Sequence, residues 1–134
     1  MQPEELMERA RQAAGRAYAP YSGFAVGAAL ACEDGSVYTG CNVEGCSFGN
    51  AICAERVALV KAVSDGHRRF AALAVAGGET PCVPCGICRQ MLFEFAPGLR
   101  VYCAPLRAGD MVCYRLDRDL LPHGFGPDFL AENG

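Results

Sequence analysis

Phe70-Ala71-Ala72-Leu73-Ala74-Val75-Ala76 is an unbroken apolar run. A strand with one wet face alternates apolar and polar residues, so seven apolar residues in a row predict a strand covered on both faces. Such a strand needs a layer of helices above and below it. Working outward, residues 51–64 read as a helix capped by Asn50, with Ile52, Leu59, Val60 and Val63 as its apolar part and Gly66 ending it. Residues 86–95 read as a second helix, stopped by Pro97-Gly98. Residues 25–32 and 37–43 are apolar runs with Asp34-Gly35 between them, the pattern of a tight hairpin. Residues 99–104 and 111–116 read as two more strands. Residues 3–18 read as an opening helix with Pro3 in its first turn, Glu4, Glu5 and Glu8 at its positive end, and Leu6, Ala10, Ala13 and Ala17 on one side. The tail from Leu120 to Pro127 is too rich in Pro and Gly to be regular. The order α-β-β-α-β-α-β-β predicts an α/β fold of three layers, α/β/α, with a mixed five-stranded sheet. With 134 residues and no linker, repeat or low-complexity block, residues 1–134 are expected to form a single domain.

Composition narrows the function. Hydrophobic residues make up 51% of the chain and charged ones 20%, enough to fill a core. Twelve basic residues against 15 acidic ones give a formal charge of -3, which argues against a nucleic-acid-binding face. No apolar run approaches the roughly 20 residues of a membrane helix, so no membrane partner is expected. The charged start, MQPEELMERARQAAG, lacks the apolar stretch of an export signal, and a cytoplasmic location is the expectation.

Nine cysteines, at positions 32, 41, 46, 53, 82, 85, 88, 103 and 113, are an odd number. In a reducing compartment, metal binding, catalysis or burial explains them better than disulfides. Pro84-Cys85-Gly86-Ile87-Cys88 is a C-x-x-C unit at a loop-to-helix junction, where helix N–H groups favour the thiolate that zinc needs. By itself the pair is equally compatible with a redox dithiol or buried thiols. Cys53-Ala54-Glu55 lies at the start of the other helix. A third thiolate from Cys53 would leave zinc one position open for water, the catalytic rather than the structural pattern. A carboxylate beside such a water, here Glu55, can accept and return a proton. Three thiolates on Zn²⁺ sum to about -1, so positive compensation is expected from the helix N-termini and from Arg56 or Arg89, with Arg56 favoured. Cys82-x-x-Cys85 offers a second register; Cys82 as a fourth ligand would make a closed, structural zinc site. Cys32, Cys41, Cys46, Cys103 and Cys113 read as packing residues, and His67 and His123 as surface.

These residues resemble the small homotetrameric cytidine deaminases, in which cysteine replaces the histidine of the H-x-E deaminases. The resemblance runs from about Ala17 to Pro127. It is carried by Tyr21-Ser22-x-Phe24-x-Val26-Gly27-Ala28, Gly40-Cys41-Asn42-Val43-Glu44, Ile52-Cys53-Ala54-Glu55-Arg56, Pro84-Cys85-Gly86-x-Cys88-Arg89-Gln90 and Leu120-Leu121-Pro122-x-x-Phe125-Gly126-Pro127. It implies that Cys53, Cys85 and Cys88 bind Zn²⁺ and that Glu55 shuttles protons. It also implies that Asn42 and Glu44 hold ribose hydroxyls, Phe24 packs on the base and the Ala54 backbone contacts the pyrimidine. Phe125 is implied to come from a neighbouring subunit of a homotetramer. An amide and a carboxylate two apart on a strand point the same way and together suit a hydroxyl that both donates and accepts. The loop carries Gly45, Cys46 and Phe48 where the family more usually shows asparagine, alanine and tyrosine. The expected reaction is hydrolysis of cytidine, and of 2′-deoxycytidine, to the uridine counterpart and ammonia in pyrimidine salvage. Rival substrates are cytosine within RNA or DNA, which the acidic balance disfavours, and a nucleoside antibiotic.

Overall fold

The computed structural model describes residues 1–47 and 49–133, with backbone alone at Glu132 and Asn133. Phe48 lies outside the described residues. The elements follow the order α1 (Pro3–Ala14), β1 (Val26–Cys32), β2 (Val37–Cys41), α2 (Ala54–Ser64), β3 (Phe70–Gly77), α3 (Gly86–Phe95), β4 (Arg100–Ala104), β5 (Val112–Arg115) and α4 (Pro127–Asn133), with a π-helical turn at Leu116–Leu120. The strands form one sheet in the order β2-β1-β3-β4-β5. β1 pairs antiparallel with β2, Gly27 opposite Cys41, and with β3, Val26 opposite Gly77. β3 and β4 run parallel, Ala72 opposite Arg100, so α3 serves as their crossover. β5 closes the far edge antiparallel to β4. The expected mixed five-stranded sheet is present.

Both faces are covered. On one, Leu6, Met7 and Ala10 of α1 pack with Ala29, Ala74, Ala76 and Ala104. On the other, Ala58, Leu59 and Ala62 of α2 and Leu92 of α3 pack with Leu30, Leu73, Val75, Val101 and Cys103. Leu73, Ala74, Val75 and Ala76 are fully buried, as their continuous apolar run requires. Small residues set how closely the layers approach. A Cβ on Gly27 would fall 1.8 Å from the Ala10 carbonyl oxygen, and one on Gly40 2.4 Å from that of Ala54. The second contact fixes α2 against β2 at the end of the helix where the site lies.

The boundaries differ in instructive ways. α1 ends at Ala14 rather than 18, because Gly15 and Arg16 donate to Gln12 and Ala13 in a closing turn. Met7 and Ala14, rather than Ala13 and Ala17, complete its buried face. α2 begins at Ala54, not Ala51, and its cap is Cys53, not Asn50. Val43 and Ile52 exchange both backbone hydrogen bonds at 2.9 Å, which keeps the chain extended up to Cys53. β2 stops at Cys41, and β5 yields at Leu116 to the π-helical turn, where Arg115 N–H donates to Asp119 Oδ2 at 2.8 Å. The tail is not wholly irregular: α4 opens on Pro127, with Asp128 in its first turn. Cys32 and Cys103 are buried as expected, but Cys46 and Cys113 are exposed and do not pack. His67 is half-buried against Tyr38 rather than on the surface.

Candidate active site

Two helix N-termini meet here. Cys53 caps α2 and Cys85 caps α3, each in extended backbone conformation just ahead of its helix, and Cys88 occupies the first turn of α3. The Sγ atoms of Cys53 and Cys85 are 3.7 Å apart, those of Cys85 and Cys88 3.3 Å, and all three lie within 4.8 Å of one another. Zinc–thiolate bonds of about 2.3 Å in tetrahedral array place sulfurs roughly 3.8 Å apart, so the trio fits that ion in donor type and spacing. Cys82 is not among the thiols that converge here, which removes the closed four-sulfur arrangement among the described residues.

Burial raises the pKa of the Cys53 and Cys88 thiols, and for Cys88 the Glu55 charge raises it further. Cys85 goes the other way. Burial opposes its ionisation, but hydrogen bonds from the Cys88 and Ile87 backbone and from the neighbouring thiols bring it below the ordinary value. That is the expected action of a helix N-terminus on a thiolate. Arg56 reaches back to donate from Nη2 to Cys53 Sγ at 3.7 Å and to the Ala51 carbonyl at 3.3 Å. Arg89 does not join it: its donors go to the carbonyls of Pro84 at 2.7 Å and Leu120 at 2.9 Å. Of the two arginines considered, Arg56 faces the sulfurs.

Glu55 follows in the first turn of α2 and is 4% exposed, the one buried charged residue of the described core. Burial raises its carboxyl pKa, opposed by a hydrogen bond with its own backbone N–H. A cavity of about 310 Å³ opens onto it. Cys53, Ala54 and Cys85 line it beside Glu55, together with the aromatic Phe24 and the polar Asn42 and Glu44. The volume is at the lower end for small-molecule pockets.

Asn42 and Glu44 both line this cavity, but not as a pair on one strand, since β2 has already ended. Asn42 Oδ1 accepts from Val26 N–H at 2.9 Å and its Nδ2 donates to the Phe24 carbonyl at 2.8 Å. Glu44 Oε1 accepts from the N–H groups of Tyr21 and Ser22 at 3.0 and 3.1 Å, and its Oε2 takes the Ser22 hydroxyl. Together they pin the loop that presents Phe24, whose ring lies over Gly78. Phe125 is half-exposed, rests on Phe129 with ring centroids 5.0 Å apart, and does not line this chain's own cavity. Of the lining residues, Val83 carried no signal in the sequence; Ser22 and Val26 belong to the segment that carries the family resemblance, and Cys82 lines the cavity rather than joining the three thiols as the fourth ligand its spacing offered. Ser22 had a readable signal, since a serine two residues before Phe24 can cap its N–H, as it does at 3.0 Å.

Three thiols converging on two helix starts beside a buried carboxyl define the class: an α/β enzyme with the donor set of a zinc hydrolase. The family described as the cytidine and deoxycytidylate deaminase zinc-binding region matches residues 1–104. A cytidine deaminase of Sporosarcina psychrophila is 47% identical over 133 residues, 98% of this chain and 96% of that one. The crystal structure of a cytidine deaminase from Burkholderia pseudomallei superposes with a TM-score of 0.89 at 46% identity, covering 93% of this chain and all of the other. That of Mycobacterium tuberculosis superposes at 0.82 and 41% identity, covering 94% and 98%. The chain belongs to the cytidine and deoxycytidylate deaminase family.

Proposed function

We propose that this enzyme hydrolyses the 4-amino group of cytidine and of 2′-deoxycytidine, giving uridine or deoxyuridine and ammonia, in pyrimidine salvage. The observation that carries the reading is geometric: a carboxyl 4% exposed lines one cavity with Cys53 and Cys85, and buried Cys88 completes with those two a trio of thiols spaced for zinc. Cys53, Cys85 and Cys88 would hold a zinc ion, with Arg56 and the two helix N-termini offsetting the charge of the three sulfurs. Such an ion would supply Lewis acidity, lowering the pKa of water at the site toward about 7. Glu55 accepts a proton from the attacking water and passes it to ring N3. It then takes the proton of the new C4 hydroxyl and passes it to the departing amino nitrogen, so the C4–N bond breaks as ammonia leaves and C4 keeps the new oxygen as a carbonyl. Its burial excludes bulk water that would otherwise exchange that proton.

Phe24 offers a flat apolar surface to the base and the Ala54 backbone its hydrogen-bonding edge. Asn42 and Glu44 each keep acceptor capacity beyond the loop contacts they make, and these face the ribose hydroxyls. Phe125, half-exposed and not among the residues lining its own cavity, covers the base in a neighbouring subunit of a homotetramer. Residues 1–134 act as one deaminase domain. Nine unpaired thiols suit the reducing cytoplasm, where we place it.

The test is a substrate panel read by ultraviolet loss and ammonia release: cytidine, deoxycytidine, a base-modified cytidine and a cytosine-containing oligonucleotide. Turnover of both free nucleosides with none on the oligonucleotide is expected. Preference for the oligonucleotide or the modified base would overturn the assignment of substrate.

A further inference from the structure

At the opposite end of α2 from the catalytic thiols, three donors of different chemistry converge. They are the thiol of Cys32, the last residue of β1; the carboxylate of Asp34 in the β1–β2 turn; and the imidazole of His67, between α2 and β3. One ligand atom from each lies within 4.8 Å of the other two. The eleven residues of α2 rise about 1.5 Å each, which puts the cluster roughly 16 Å from Cys53. None of the three takes part in the deamination reading.

Each donor is held by something else. The Asp34 Oδ1 accepts the Ser36 N–H at 3.0 Å and the Ser36 hydroxyl at 2.6 Å, leaving Oδ2 turned toward His67. His67 Nδ1 stands 3.6 Å from that oxygen, too far for a hydrogen bond, so neither atom is used up by the other. The imidazole leans on Tyr38, ring centroids 5.2 Å apart, and its backbone N–H is tied to Ala62 at 3.0 Å. Tyr38 is anchored in turn by Asp65. Cys32 is 3% exposed at the end of β1, and its thiol hydrogen-bonds with Ser36, the residue that also donates to Asp34. Sulfur, nitrogen and one carboxylate oxygen are the donors of zinc and the transition metals near it, not of magnesium or calcium. One thiolate and one carboxylate also neutralise a divalent cation, so no uncompensated charge is buried.

We propose that Cys32, Asp34 and His67 form a second metal site that takes a divalent transition ion of the zinc class. Binding displaces the Cys32 proton to solvent and ties the β1–β2 hairpin to the α2–β3 connection, with the remaining coordination left to solvent. The role is structural: the ion braces the end of α2 that the catalytic residues do not occupy.

Full-length protein is equilibrated by dialysis against micromolar free zinc and its metal content measured per chain, for wild type, His67→Gln and Cys32→Ser. Both replacements keep side-chain size while removing a good donor, so folding is checked by circular dichroism alongside. Expected is a loss of about one zinc per chain in each variant, with cytidine turnover unchanged and the zinc-induced rise in Tm reduced. A Cys53→Ala variant loses the other ion and its activity but keeps this one, which separates failure here from failure at the catalytic trio. Zinc content equal to wild type in either His67→Gln or Cys32→Ser overturns the site.

Discussion

Replacing Gly40 with alanine tests how the fold positions the chemistry, because Gly40 touches neither substrate nor thiol. Its added Cβ would stand 2.4 Å from the Ala54 carbonyl oxygen, 2.6 Å from the Ala58 nitrogen and 3.1 Å from the Val57 Cβ. Two of these are backbone atoms of α2 that no rotamer change can move aside. Carbon atoms do not approach closer than about 3.0 Å, so α2 must retreat from β2 by about 0.6 Å or more. Overpacking of this kind costs about 1–3 kcal/mol, or about 4–10 °C in Tm for a chain of this size. The retreating turn carries Ala54 and Glu55 and is capped by Cys53. Misplacement of catalytic groups by about 1 Å costs on the order of 10²-fold, so kcat/KM for cytidine should fall about 10- to 100-fold. The assays are a thermal melt and initial rates from ultraviolet loss on the folded variant below its melting range. Wild-type Tm together with wild-type kcat/KM would refute the reasoning that this contact sets the helix. A lowered Tm with full activity would show that α2 moves without carrying the site out of register.

Three further outcomes follow from the site. Glu55→Gln should lower cytidine turnover by about 10²–10⁴-fold, with zinc content retained, since the amide fills the same space but carries no transferable proton; kcat near wild type would remove the proton-carrying role. Arg56→Ala should weaken zinc affinity about 10- to 100-fold in chelator competition, because Cys53 loses the donor at 3.7 Å; unchanged affinity would mean that the contact does not tune the sulfur. Glu44 is held below its ordinary carboxylate value, first by the Ser22 hydroxyl and backbone and then by the Tyr21 backbone. Its contribution to holding the Phe24 loop is therefore complete above the unfolded value of about 4.3 and is lost as pH falls through the lower folded value. Thermal melts across that acid range should show a fall in wild type that Glu44→Gln lacks, and parallel curves would contradict the assignment.

The convergence of Cys53, Cys85 and Cys88 was legible because its information is local: C-x-x-C and C-x-E each sit within one turn, and Pro84 marks the start of α3. The central strand was legible for the same reason, since Leu73 to Ala76 can be apolar throughout only if both faces are covered. What the sequence could not show are pairings made by distant residues. Asn50 has the better capping side chain, yet the Val43–Ile52 bridge holds the chain extended and passes the N-cap to Cys53. Asn42 and Glu44 suit a ribose, but only the folded chain reveals that they also brace the Phe24 loop. Cys32 and His67 looked unrelated because 35 positions separate them, and the fold brings them together with Asp34. The π-helical turn at Leu116–Leu120 depends likewise on tertiary bonds, from Leu116 to Leu99 and from Asp117 to Pro97.

The most direct measurement couples metal content to ammonia release in one preparation. The protein is stripped of metal with a strong chelator, and zinc is then restored stoichiometrically to the site proposed at Cys53, Cys85 and Cys88. Activity on cytidine should vanish with the ion and return in proportion to the zinc restored. A chain that stays fully competent while analysis finds it free of metal would contradict the account at its root.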